Sequence, residues 1–115
     1  MIFVIDDNLE MAECVARATK ANDVRIFGNG IEAMEAFSEV TPDLIFLDIL
    51  LDGPDGFAFL NEMMSYPDTK QIPVVIVTSL NIDTDGLKQY GVVGVLNKDT
   101  MLPQEIYSYA KQYAK

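Results

Sequence analysis

Histidine is absent from this chain, and cysteine occurs once, at Cys14. Without histidine there can be no Ser-His-Asp triad, no His-ligated zinc site and no phosphohistidine carried by the chain itself. A lone cysteine closes no internal disulfide. Cys14 falls on the stripe Met11, Cys14, Val15, Ala18, whose i, i+3, i+4, i+7 spacing marks a helix face, so it is expected in the core rather than as a reactive thiol. Basic residues are also scarce: 8 Lys and Arg against 18 Asp and Glu give a net charge of −10. A phosphate backbone needs the opposite balance, so no direct nucleic-acid binding is expected. Long apolar runs are missing too. None approaches the roughly 18–20 residues of a membrane span, and the run Met1–Ile5 meets Asp6 too early to be the core of a signal peptide. The expected location is the cytoplasm, with Met1 opening the first strand and no domain upstream.

What is present is an alternation. The 115 residues, half of them hydrophobic, suit one domain over 1–115 with a single core. Apolar strand candidates lie near residues 1–5, 23–27, 43–47, 73–77 and 93–96, and helical periodicity fills most of the gaps. A first helix is expected from the cap Asn8 to about Ala21. A second opens at Asn29-Gly30 and turns Ala33, Ala36, Phe37 and Val40 inward. A third follows Asp55-Gly56, buries Phe57, Leu60, Met63 and Met64, and stops at Pro67. A last one begins near Pro103 and buries Ile106, Tyr109, Ala110 and Tyr113. The fourth is weak: between Thr78 and Gly91 the stretch SLNIDTDGLKQY has little apolar stripe and an interior glycine, Gly86, which costs a helix about 1 kcal/mol. The third and fourth strands are nearly continuous apolar runs, as in parallel sheets covered on both faces. The expected fold is α/β, a five-stranded parallel sheet, open and doubly wound, with its active edge at the carboxyl ends of the strands.

That edge concentrates the polar chemistry. Asp6-Asp7 follow the first strand, Asp48 the third, Thr78 the fourth and Lys98 the fifth. If the strands are parallel neighbours, carboxylates, a hydroxyl and an ammonium meet in one pocket. Clustered carboxylates repel one another, and a hard divalent cation with oxygen ligands relieves that repulsion.

In order and on the right strands, VIDDN, DLIFLDILLDGPDG, PVVIVTS and LNKDT resemble the receiver domain of two-component response regulators over essentially the whole chain. The resemblance implies a flavodoxin-like (βα)5 fold and a signalling module rather than a true enzyme. It implies Asp48 as phosphoacceptor and Mg²⁺ as cofactor. Asp7 would ligate the metal directly, Asp6 mainly through water, and the backbone carbonyl of Leu50 would add a ligand beside Asp48. Thr78 would bond a phosphoryl oxygen and Lys98 pair with its charge. The implied partners are a sensor histidine kinase or phosphotransfer protein and a downstream effector or output domain; ordering of the segment around Leu80–Tyr90 would let Tyr90 and Tyr107 form a surface for a homodimer or another partner. Three positions depart from the family pattern. Val95 stands where an aromatic usually couples to Thr78 as the second switch residue, Lys98-Asp99 replaces Lys-Pro, and Asp52 with Pro54 alters the loop after Asp48. The alternatives are a pseudo-receiver, an interaction domain of the same fold not controlled by phosphate, and an enzyme on a similar fold. Against the enzyme, the chain lacks GxxxxGK[ST], a DxDxT after the first strand and a Ser/Thr-rich flavin-phosphate loop.

Overall fold

The computed structural model describes residues 1–50, 55–82 and 85–114. Asp52, Pro54, the pair Asp83-Thr84 and Lys115 lie outside them, so the expectations that rest on those positions have no structural counterpart. Among the described residues the order is β1 (Ile2–Ile5), α1 (Leu9–Ala18), β2 (Val24–Phe27), α2 (Gly30–Ala36), β3 (Leu44–Leu47), α3 (Gly56–Met64), β4 (Val74–Thr78), a 3-10 turn (Lys88–Tyr90), β5 (Val92–Asn97) and α4 (Pro103–Tyr113). All five strands are parallel, in the order β2-β1-β3-β4-β5. This is the flavodoxin-like, doubly wound sheet. Strand order reverses between β1 and β3, and the carboxyl ends flanking that reversal are where such sheets open a crevice.

Strand periodicity of two splits the core. Phe3, Ile5, Ile45, Leu47, Val74 and Ile76 face α2 and α3, where Ala33, Phe59, Leu60 and Met63 cover them. Ile2, Val4, Leu44, Phe46, Val75 and Val77 face α1 and α4, under Ala12, Val15, Ile106 and Ala110. Every residue of β1, β3 and β4 is buried, which explains their unbroken apolar sequences. Asn8, Asn29 and Asp55 cap α1, α2 and α3, each accepting a backbone N–H three residues on.

Four expectations are corrected. Helix α1 stops at Ala18 rather than Ala21: the Thr19 hydroxyl donates to the Ala16 carbonyl at 2.6 Å, and Lys20 turns left-handed at φ 57°. Cys14 is exposed, because α1 buries Ala12 and Val15 and leaves Cys14 at the side, 3.5 Å from an Arg17 nitrogen. Phe57 is 41% exposed, since α3 turns Gly56, Phe59, Leu60 and Met63 inward, a face rotated from the expected one. Finally, the connection between β4 and β5 holds only a 3-10 turn among the described residues, ended by Gly91 at φ 79°. Gly86 and the missing apolar stripe leave too little to bury there for an α-helix to form.

Candidate functional site

The sheet brings the expected side chains together at one edge. Ile5 and Leu47 are register partners, so Asp6 and Asp48 leave neighbouring strands at the same level, and the Asp48 N–H donates to the Ile5 carbonyl at 2.9 Å. Thr78 closes β4 opposite Asn97, and the Lys98 N–H donates to the Thr78 carbonyl at 2.9 Å. Backbone pairing therefore sets the four positions before any side chain is placed.

Lys98 is the hub. Its Nζ lies 3.0 Å from Asp6 Oδ2 and 3.1 Å from Asp48 Oδ2, tying two carboxylates that are each about 5% exposed or less. The remaining oxygens are held by backbone: the Asn8 N–H donates to Asp6 Oδ1 at 2.9 Å and the Leu50 N–H to Asp48 Oδ1 at 3.0 Å. Burial pushes the Asp6 carboxyl above its usual range, opposed by the Asn8 N–H and by Lys98, with the Asp48 charge adding to the rise. For Lys98, burial pulls the other way, but its bonds to Asp6 and Asp48 and their charges outweigh it and leave the ammonium above the ordinary lysine value. Lys98 is thus a fixed positive charge at any physiological pH.

Asp7 is exposed at the mouth, and ligand oxygens of Asp6, Asp7 and Asp48 all lie within 4.8 Å of one another. An all-carboxylate set open to solvent suits a small hard cation that keeps several waters, the donor preference of Mg²⁺ or Mn²⁺. Thr78 is fully buried, and its Oγ1 accepts the Leu80 N–H at 3.2 Å. An incoming anionic oxygen can only accept, so the proton is what the hydroxyl has to offer it. Leu50 and Leu80 carry exposed side chains beside the pocket (52% and 45%), and Val95 is half-buried against the α2–α3 side of the core.

One member of the site was not singled out from the sequence. Gly56, the first residue of α3, donates its N–H to the Ile49 carbonyl at 2.9 Å. A Cβ there would sit 2.6 Å from Ile49 Cα and 2.8 Å from the Asp48 carbonyl oxygen. The glycine lets α3 abut the backbone of the Asp48 turn; the Asp-Gly pair carried a helix-start signal but not this contact.

The chain matches the family described as response regulator receiver domain over residues 2–110. It is similar to the response regulator PleD of Caulobacter vibrioides, 32% identical over 83 residues, which are 70% of this chain and 18% of that protein. The chain therefore spans under a fifth of that relative's length. Among solved structures it resembles the Mn²⁺-bound form of the response regulator Rcp1, with TM-score 0.73, 25% identity, and coverage of 96% of this chain and 88% of that one. It resembles equally the phosphorylated cyanobacterial phytochrome response regulator RcpA, with TM-score 0.73, 27% identity and the same coverage, 96% and 88%. Among the described residues, no helix is long and apolar enough to cross a membrane.

Proposed function

Because the chain belongs to the response regulator receiver domain family, we propose that it accepts a phosphoryl group on Asp48 from a sensor histidine kinase or phosphotransfer protein and changes shape to regulate an effector or output domain. The observation that carries this reading is the Lys98 ammonium bridging the buried carboxylates of Asp6 and Asp48. In the transfer, an Asp48 oxygen bonds to phosphorus as the donor's phosphorus–nitrogen bond breaks, and the electron pair leaves with the imidazole nitrogen. Such a reaction demands in-line placement and charge compensation more than covalent chemistry. Lys98 keeps its hold on Asp6 and turns from the Asp48 carboxylate to the new phosphoryl oxygens. Thr78 donates its proton to one of them. Asp7, Asp48 and the Leu50 carbonyl, with Asp6 chiefly through water, would hold a Mg²⁺ ion, which when bound neutralises charge on the transferring group. The module works in the cytoplasm, as the partner of a kinase there.

The metal is tested by melting. At a Mg²⁺ concentration tenfold above Kd, preferential binding to the native state adds about 1.4 kcal/mol, a rise in Tm of roughly 4–8 °C for a domain of this size. Asp7→Ala should abolish the rise. The competing pseudo-receiver reading draws on Val95 and on the 3-10 turn that stands, among the described residues, between β4 and β5; a parent Tm indifferent to millimolar Mg²⁺ would favour it.

A second test concerns lifetime. Hydrolysis of the acyl phosphate needs a water in line with the bond to Asp48, and the side chains flanking that approach are Leu50 and Leu80. Both are exposed rather than packed away, and neither can orient a water. Leu50→Asn with Leu80→Glu should shorten the phosphorylated state about tenfold, equivalent to about 1.4 kcal/mol of barrier. Equal decay of the parent and the double variant would refute the shielding. A third test follows the switch. With Val95 too small to follow Thr78 inward as a ring would, the response should run through residues 79–91, whose amide exchange should slow on phosphorylation. Protection gained only beside Asp48 would exclude that route.

A further inference from the structure

Away from the carboxylate pocket, α2 and α3 enclose two adjoining hollows of about 260 and 480 Å³ that share Met34, Glu35 and Glu62 and so form one groove. Its floor is aromatic and stiff: Phe59 packs on Phe37, and Phe37 stacks on Phe3, with ring centroids 6.2 and 5.6 Å apart. Ile31 and Tyr66 stand at its two ends, 55% and 50% exposed. These are apolar groups left in water along one line, the usual mark of a surface that receives another chain.

The rim decides what kind of chain. Glu35, Glu62 and Asp68 border the groove, and among the described residues no lysine or arginine lines either hollow. No ion pair to any of the three occurs among the described residues. The acidity is not a uniform coat, since the hollow between α1 and α4, on the opposite face of the sheet, is lined by Lys20 and Lys111 beside Asp23. A second copy of this chain, at net charge −10, would bring mostly like charge to such a rim.

We propose that the α2–α3 groove is a docking site for an effector's peptide segment, one that sets aliphatic or aromatic side chains on the Phe37–Phe59 floor and Lys or Arg against Glu35 and Glu62. Its occupancy is linked to the acceptor through α3. The first residue of that helix lies against the Asp48 carbonyl with no room for a Cβ, so a shift of the Asp48 turn moves the groove's wall. This link rests on the function proposed above; the docking itself does not.

The probe is a phage-displayed library of short random peptides, selected on the full chain, with the tightest peptide then measured by fluorescence anisotropy. Selected peptides should combine basic with apolar residues. Glu35→Lys with Glu62→Lys, both at exposed positions, should weaken binding about tenfold, or about 1.4 kcal/mol. Glu10→Lys with Glu13→Lys on α1, an equal change of charge, should leave it within about twofold. Equal loss in both double variants would reduce the effect to overall charge and overturn the proposal, as would peptides whose binding survives the first pair. After acetyl phosphate and Mg²⁺, with phosphorylation verified by intact mass, the affinity should change several-fold. An unchanged affinity on phosphorylated protein overturns the link through α3. Absence of the phosphoryl mass instead counts against the proposed function and leaves the docking result standing.

Discussion

Asp48→Asn should leave no phosphorylated protein after incubation with acetyl phosphate and Mg²⁺, where the parent gains one phosphoryl mass. The amide cannot act as the nucleophile that a carboxylate provides. Of the three clustered carboxylates, Asp48 alone is both buried and at the end of the central strand β3, with Lys98 at 3.1 Å. The substitution also keeps most of what holds the turn. The Asn oxygen still accepts the Leu50 N–H, now at 3.0 Å, and Lys98 retains Asp6 at 3.0 Å. Loss of one carboxylate from a repelling cluster offsets part of the lost ion pair, so Tm should stay within a few degrees of the parent. Full phosphorylation of the variant would move the acceptor to another residue, and a collapsed melting transition would make any loss of phosphorylation uninformative about chemistry.

Gly56→Ala should cost more stability than any other single methyl added near the site. The new Cβ meets backbone, not a side chain that can swing aside: Ile49 Cα at 2.6 Å and the Asp48 carbonyl oxygen at 2.8 Å. Relief requires α3 to slide away from the β3 end, opening the core under Phe59, Leu60 and Met63. Overpacking of this kind costs about 3 kcal/mol, which for a domain of this size lowers Tm by at least ~12 °C. Thermal unfolding followed by circular dichroism measures it. A loss below about 1 kcal/mol would mean that the α3 start is loosely seated, which would also remove the mechanical link from Asp48 to the α2–α3 groove.

Gly56 also shows where reading the sequence stops. Asp55-Gly56 announces a helix start, and the cap is there, with Asp55 accepting the Ala58 N–H. That this glycine must also clear a strand end several residues earlier depends on the packing of α3 against β3. Cys14 and Phe57 make the same point from the other side. Apolar spacing of i, i+3, i+4 fits two neighbouring faces of one helix, and the angle at which α1 and α3 lie on the sheet selects Ala12 over Cys14 and Phe59 over Phe57. The weak fourth helix was legible as weakness, through Gly86 and the missing stripe. Its replacement by a 3-10 turn depends on how little of it the sheet can bury.

By itself the sequence determined the parallel doubly wound sheet and the membership of the polar edge. Unbroken apolar runs ending in Asp, Thr and Lys admit few other arrangements, because each strand's side chains alternate between two covered faces while its carboxyl end must leave the sheet. Tertiary structure alone decided the rest: that Lys98 bridges Asp6 with Asp48, that α2 and α3 leave an acidic, apolar-floored groove between them, and that α3 rests on the acceptor's backbone. These are distances between segments remote along the chain. They are set by strand register and helix seating, which a local pattern of residues does not encode.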